Sequence, residues 1–140
     1  MASQQAIQAF FEREFPDSGI VIESVEAGQV RLRRPVSAQD LRPGGAVSGP
    51  FMMALADAAL YAAIFSELGL LALAVTTNLT INFLSKPVAT ADVLAQCQLL
   101  KVGRQLVVGE VSLYSDGGDK PIAHAVGTYS IPPGASSANR

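Results

Sequence analysis

The residues from 42 to 67, RPGGAVSGPFMMALADAALYAAIFSE, place the tightest constraint on what this chain can fold into. Glycines and prolines open the stretch, and an unbroken run of good helix formers follows them. Gly49-Pro50 predicts the helix start, because proline is tolerated in a first turn, where its missing N–H has no helical partner. Gly69 can take the left-handed conformation that closes a helix, so we expect the end between Glu67 and Gly69. Asp57 is the one charge inside the run.

Three interpretations of this helix compete. Residues 51 to 75 are long enough for a membrane span, which needs about 20 residues. Asp57 and Glu67 interrupt that run and strand-like residues follow Leu71, so a span is disfavoured. The second interpretation is a buried helix in which Asp57 is hydrogen-bonded for structural reasons; the alanines at 54, 56, 58, 59, 62 and 63 favour it, because small side chains let a sheet approach closely. The third adds a cleft beside Asp57, and the helix alone does not choose between the last two.

The whole chain fits one domain with a substantial core, at 140 residues and 16% charged residues. A net charge of −2 gives no electrostatic case for nucleic acid as a partner. The single cysteine, Cys97, excludes an intrachain disulfide, and the N-terminus has no signal-peptide pattern, so a cytoplasmic location is expected. We expect residues 1–134 to form the domain and residues 135–140 to be a flexible tail.

The rest of the chain predicts strands around the central helix. Residues 3 to 15 have helical spacing, and residues 20 to 26 and 29 to 34 form a hairpin across Ala27-Gly28. After Gly69, four β patterns follow in succession, over residues 74–87, 92–102, 105–115 and 121–131, and short turns make them antiparallel. The predicted class is α+β: a curved antiparallel sheet of about five to six strands wrapped around one long helix, with a short N-terminal helix.

This order of elements resembles the hotdog fold, and the motif residues resemble those of PaaI-like acyl-CoA thioesterases. That family's signature runs as an Asn, a short loop, His-Gly-Gly, Leu-Ala-Asp on the helix, and a strand ending in Phe-Leu-x-Pro. Here the helix motif is Leu55-Ala56-Asp57, and residues 82–87, NFLSKP, supply the strand end. The resemblance covers roughly residues 20 to 131.

Two positions depart from the family signature. The His-Gly-Gly positions hold Ser48-Gly49-Pro50, and the Asn position holds about Arg42. The family His helps position the thioester, so its loss could lower or redirect activity. Pro50 has no N–H, which leaves Gly49 or Phe51 as the backbone donor. The chain resembles a proteobacterial branch that carries the same Ser-Gly-Pro variant, which indicates a subtype.

The resemblance implies hydrolysis of an acyl-CoA to a free acid and coenzyme A, with no cofactor beyond the coenzyme A of the substrate. Asp57 could act as general base or as a nucleophile that gives a mixed anhydride. The Gly49 N–H, at the positive end of the helix dipole, is the candidate oxyanion donor. Gly49 and Asp57 are eight residues apart, which is about 12 Å along one helix. One carbonyl cannot contact both in one chain, so we expect a homodimer with two shared sites; whether dimers pair into a tetramer stays open.

Other site candidates each have a plainer interpretation. Thr76 or Thr77 could hold the attacking water, as a Ser or Thr does in the family, with Thr76 favoured; both could equally be threonines suited to a strand. Ser48 could cap the helix or replace the missing His as a donor, and capping is favoured. Phe51, with Met52, Met53 and Tyr61, could line an acyl pocket or simply belong to the core.

Coenzyme A carries phosphates, which Lys86, Lys101 or Arg104 could meet at strand ends, although surface charge is the default interpretation of each. His124 is interpreted as structural, and no cluster has metal-ligand spacing, so no metal is expected. A second possible function is a non-catalytic protein that binds acyl-CoA or another acyl thioester, favoured by the missing His and by Pro50. A hotdog dehydratase is disfavoured, because it needs a catalytic His and His124 lies far from the helix in sequence.

Overall fold

The computed structural model describes residues 1–133, so the expected tail at 135–140 lies outside the described residues. The elements follow in the predicted order, and the α+β class is confirmed. They are α1 (Gln4–Glu14), β1 (Val21–Glu26), β2 (Gln29–Arg34), a short 3-10 helix (Ala38–Asp40), α2 (Gly49–Leu68), β3 (Val75–Phe83), β4 (Val93–Val102), β5 (Leu106–Ser115) and β6 (Ala123–Ser130).

Local signals fix both ends of α2, as predicted. The Ser48 side chain accepts a hydrogen bond of 3.2 Å from the Phe51 N–H, which makes Ser48 the N-cap. Pro50 occupies the first turn, where it breaks no helical bond. At the other end Gly69 adopts a φ of 95°, and its N–H bonds to the Phe65 carbonyl.

The six strands form one antiparallel sheet in the order β1-β2-β4-β5-β6-β3. β3 does not lie beside β4, its successor in sequence, but at the sheet edge against β6. Both sides of β4 are taken by β2 and β5, so residues 84–92 carry the chain from the edge strand back into the sheet. Antiparallel pairing was predicted correctly, and the crossover was not foreseen.

The helix α2 packs on the inner face of the sheet through glycines. Gly109 of β5 and Gly127 of β6 are cross-strand partners, and the Leu60 side chain lies where their Cβ atoms would be. The absence of side chains at these two positions therefore lets α2 approach the sheet closely. By length and apolar composition α2 could also cross a membrane, but here most of its apolar surface is buried against the sheet.

Candidate active site

Asp57 lies about two turns into α2, with its carboxylate half-buried. One carboxylate oxygen, Oδ1, accepts two hydrogen bonds from the sheet. The Thr76 hydroxyl donates to it across 2.6 Å, and the Tyr129 hydroxyl across 2.8 Å. The Tyr129 hydroxyl also lies 3.0 Å from the Asp57 backbone carbonyl. The carboxylate is therefore held in one orientation by two residues from different strands.

A β-bulge directs Thr76 toward Asp57. Strict alternation along β3 would place Thr76 on the same face as Asn78, Thr80 and Asn82. The pairing of β3 with β6 shifts by one residue between Thr76 and Asn78, so Thr76 pairs with Tyr129 and joins the inner face. Thr77 is the extra residue, and its hydroxyl donates to the Thr128 carbonyl across 3.2 Å. The structure therefore brings Thr76 to Asp57 and does not bring Thr77.

Tyr129 is the site residue that sequence reasoning missed. It is 3% exposed, and burial, with the Asp57 charge as a smaller cause, raises the pKa of its hydroxyl well above the usual value. It therefore remains protonated and can donate to the carboxylate. A signal existed: Tyr129 continues the inward-facing series Ala123, Ala125, Gly127, and a polar group on a buried face needs a partner.

A cleft of about 280 Å³ opens beside Asp57. Its walls are mostly apolar and come from α1, α2 and the segment before β1: Phe11, Phe15, Ile20 and Tyr61. Tyr129 and Arg34 also line the cleft, and they bring polar groups to it. Phe51 is only 5% exposed and belongs to the core. Met52 is also buried, whereas Met53 is exposed at the surface.

Gly49 carries a backbone donor without a partner in the described chain. Pro50 has no N–H, and the Phe51 N–H is used by the Ser48 cap. The Gly49 N–H makes no hydrogen bond within residues 1–133. The Phe83 ring packs against Gly49, 3.3 Å from where a Cβ would stand. Gly49 therefore has an N–H at the positive end of α2 that makes no hydrogen bond to residues 1–133, while the Phe83 ring covers its Cα.

Two of the three candidate phosphate ligands, Lys86 and Arg104, lie at opposite ends of the sheet; the third, Lys101, is exposed near the end of β4. Lys86 is exposed in the segment that follows β3. Arg104 is exposed in the turn before β5, near the start of β3, since Leu106 and Val75 both pair with Ser130. A ten-residue strand such as β5 spans about 34 Å. One chain therefore does not bring Lys86 and Arg104 together.

The remaining titratable candidates lie away from Asp57. His124 is on the outer face of β6, where its Nε2 is 3.5 Å from a carboxylate oxygen of Glu110. The described residues contain no group of three His, Cys, Asp or Glu side chains placed to hold a metal ion.

Comparison with known proteins shows which family the chain belongs to. The family model described as "Thioesterase superfamily" matches residues 44–122, a range that contains Gly49, Asp57 and Thr76. The crystal structure of a candidate thioesterase from Silicibacter sp. TM1040 is 42% identical, with a TM-score of 0.85, and the match covers 94% of this chain and 92% of that one. None of the curated proteins compared with the chain matches it.

Two further solved structures share the fold. The PaaI protein of the E. coli phenylacetic acid degradation operon is 27% identical with a TM-score of 0.81, and the match covers 93% of each chain. A hypothetical thioesterase from Streptococcus pneumoniae TIGR4, solved with coenzyme A, is 20% identical with a TM-score of 0.78, over 91% of this chain and 97% of that one. The chain therefore belongs to the hotdog-fold thioesterase superfamily, as its sequence motifs predict.

Proposed function

We propose that this protein hydrolyses an acyl-CoA thioester to a free acid and coenzyme A, with Asp57 as the reacting carboxylate. The observation that carries the proposal is the carboxylate held by Thr76 and Tyr129 at the wall of a mostly apolar cleft. A carboxylate fixed beside an acyl-sized cavity can act as the base or the nucleophile in thioester hydrolysis. The Streptococcus protein of the same fold, solved with coenzyme A, agrees with this choice of substrate.

The two carboxylate oxygens of Asp57 differ in their hydrogen bonding, and therefore in what each can do. Both donors reach Oδ1, and no hydrogen bond from residues 1–133 engages Oδ2. Oδ2 can therefore take a proton from water or attack the thioester carbon. In the first route we propose that the Thr76 hydroxyl, 2.6 Å from Oδ1, also accepts a hydrogen bond from that water. In the second, water hydrolyses the mixed anhydride, and a single turnover in ¹⁸O-labelled water that labels the Asp57 side chain would identify this route.

The oxyanion that forms on the carbonyl needs donors, and the Gly49 N–H is our candidate. It lies about 12 Å along α2 from Asp57, so the donor has to come from a second copy of the chain. β3 favours such a copy: it is an edge strand, and Val75, Phe83 and Leu84 are each more than half exposed. Antiparallel pairing of two β3 strands brings the Thr76 end of one to the Phe83 end of the other, beside the second Gly49.

Complementation between inactive variants tests the shared site. In a homodimer with shared sites, a chain carrying Asp57→Asn and a chain carrying Gly49→Val together rebuild one intact site. Co-refolding equal amounts should restore about a quarter of wild-type activity, since half of the dimers are mixed and each has one good site. No recovery, or a fully active monomer by light scattering, contradicts the shared site.

The dimer also gives Lys86 and Arg104 a common role. Lys86 and Arg104 lie at opposite ends of one sheet. If two β3 strands pair antiparallel, Arg104 of one copy lies at the same end of the dimer as Lys86 of the other. We propose that these side chains meet the phosphates of coenzyme A. Replacing either with Gln should raise KM for acyl-CoAs and leave KM for acyl-N-acetylcysteamine thioesters, which have no phosphate, unchanged.

A non-catalytic acyl-thioester-binding protein is the second candidate, because Ser48 and Pro50 replace residues of the family signature. A panel of acyl-CoAs separates the two functions. Free-thiol release reports turnover, and calorimetry reports binding. Turnover of at least one ester supports the thioesterase, whereas binding without thiol release supports the binding protein and rejects the proposed reaction.

A further inference from the structure

The strand β2 contains three arginines, Arg31, Arg33 and Arg34, whose surroundings differ. Arg31 and Arg33 face outward and have carboxylate partners: Arg31 lies 3.4 Å from Glu23, and Arg33 lies 2.7 Å from it. Arg34 has the same parity as Val30 and Leu32, whose side chains are buried on the inner face. Arg34 therefore brings a positive charge to the apolar side of the sheet.

Arg34 is held in place, but residues 1–133 provide no counter-ion for it. Its Nε donates to the Ser18 carbonyl across 3.1 Å, and its Cζ lies 4.5 Å from the centre of the Phe51 ring. No carboxylate oxygen of residues 1–133 lies within 4.0 Å of its nitrogens, and its terminal nitrogens donate no hydrogen bond to those residues. A half-buried guanidinium with free donors is set up to bind an anionic oxygen.

Arg34 lines the same cleft as Asp57, and most of the other lining residues are apolar. The cleft volume of about 280 Å³ lies below the range, about 300–1,000 Å³, of sites that enclose a drug-sized ligand. The cleft can thus enclose an acyl group but not the whole coenzyme. An anionic group at the far end of the acyl chain can therefore reach Arg34 while the thioester lies at Asp57.

We propose that Arg34 binds a carboxylate at the distal end of the acyl group, so that the enzyme prefers dicarboxylic monothioesters over plain alkyl thioesters. This inference rests on the proposed thioesterase function. It adds a substrate class and a residue that selects for it. The same anionic chemistry has a second source, a phosphate of coenzyme A, and the test below separates the two.

Steady-state thiol release would compare succinyl-, adipoyl- and suberoyl-CoA with butyryl-, hexanoyl- and octanoyl-CoA. The wild type should favour the best diacid over its alkyl partner by about tenfold or more in kcat/KM, as a hydrogen-bonded charge pair implies. Arg34→Gln should bring this ratio close to one, and Arg34→Lys should keep part of it because the charge remains. Arg31→Gln, the matched control on the outer face, should keep the wild-type ratio. Thermal melts check that each variant is folded.

The possible outcomes distinguish failure of the diacid preference from failure of the proposed thioesterase function. If no ester of any kind is hydrolysed, the proposed function fails. If alkyl and diacid esters are hydrolysed equally well by the wild type, or if Arg34→Gln keeps the preference, the inference fails and the function stands. If Arg34→Gln weakens every CoA ester alike and leaves N-acetylcysteamine thioesters unaffected, Arg34 binds a phosphate and the acyl carboxylate is rejected.

Discussion

Replacing Tyr129 with Phe removes one donor from Asp57 and keeps the buried ring. The lost hydroxyl is 2.8 Å from Oδ1, and the 2.6 Å bond from Thr76 remains. A hydrogen bond to a charged group contributes about 1.5–3 kcal/mol, and each 1.4 kcal/mol is about tenfold in rate. With one donor left, we expect the lower part of that range: a fall in kcat of about 10- to 50-fold, with a smaller change in KM.

The assay is thiol release from the best ester of the panel, with urea unfolding as the check on the fold. The free energy of unfolding of Tyr129→Phe should fall by about 1.5–3 kcal/mol, the contribution of one hydrogen bond to a charged group, and the variant should stay folded. Tyr114→Phe, on the outer face of β5, is the control for removing a tyrosine hydroxyl and should keep full activity. A Tyr129→Phe enzyme with wild-type kcat refutes the idea that this hydroxyl orients the reacting carboxylate.

Three further predictions concern the fold. Gly127→Ala adds a methyl group where Leu60 already lies, and overpacking should lower the free energy of unfolding by about 1–3 kcal/mol; unchanged urea unfolding contradicts the packing. Burial raises the pKa of the Cys97 thiol to about 12, so the native protein should not react with a thiol reagent at neutral pH and the unfolded protein should; rapid native labelling contradicts this. Hydrogen bonding to Arg33 lowers the pKa of Asp116, so this pair stabilises the fold above the unfolded value of about 3.9 and the effect is lost as pH falls through the lower folded value. In Arg33→Gln the free energy of unfolding should therefore fall less in acid than it does in the wild type. If its dependence on pH is unchanged, the Arg33–Asp116 pair is not the cause of the acid effect.

The sequence predicts the helices and the hairpin well because their signals are local. The ends of α2 depend on Ser48, Pro50 and Gly69, which lie within or next to the helix they delimit. The family motif predicted Asp57 and Thr76 as site residues for the same reason, since each belongs to a short recognisable segment.

The remaining features depend on contacts between distant parts of the chain. Periodicity gives the two faces of a strand but not its neighbours, so the pairing of β3 with β6 was not foreseen. Alternation alone would have placed Thr76 on the outer face, and only the bulge opposite Tyr129 brings it inside. Tyr129 itself lies 72 residues from Asp57 in sequence. Arg34 was missed because its position on the inner face of β2 suggests a role only when the position of the cleft is known.

The most direct measurement is thiol release by the Asp57→Asn variant, compared with the wild type on an ester that the wild type hydrolyses. Asn has nearly the same shape and can still accept the bonds from Thr76 and Tyr129, but it can neither take a proton from water nor attack the thioester. The expected result is a folded protein, by thermal melt, whose kcat falls by at least about a hundredfold, the lower bound for loss of a general base. A folded Asp57→Asn protein that hydrolyses the ester at the wild-type rate would contradict the assignment of the reaction to this carboxylate.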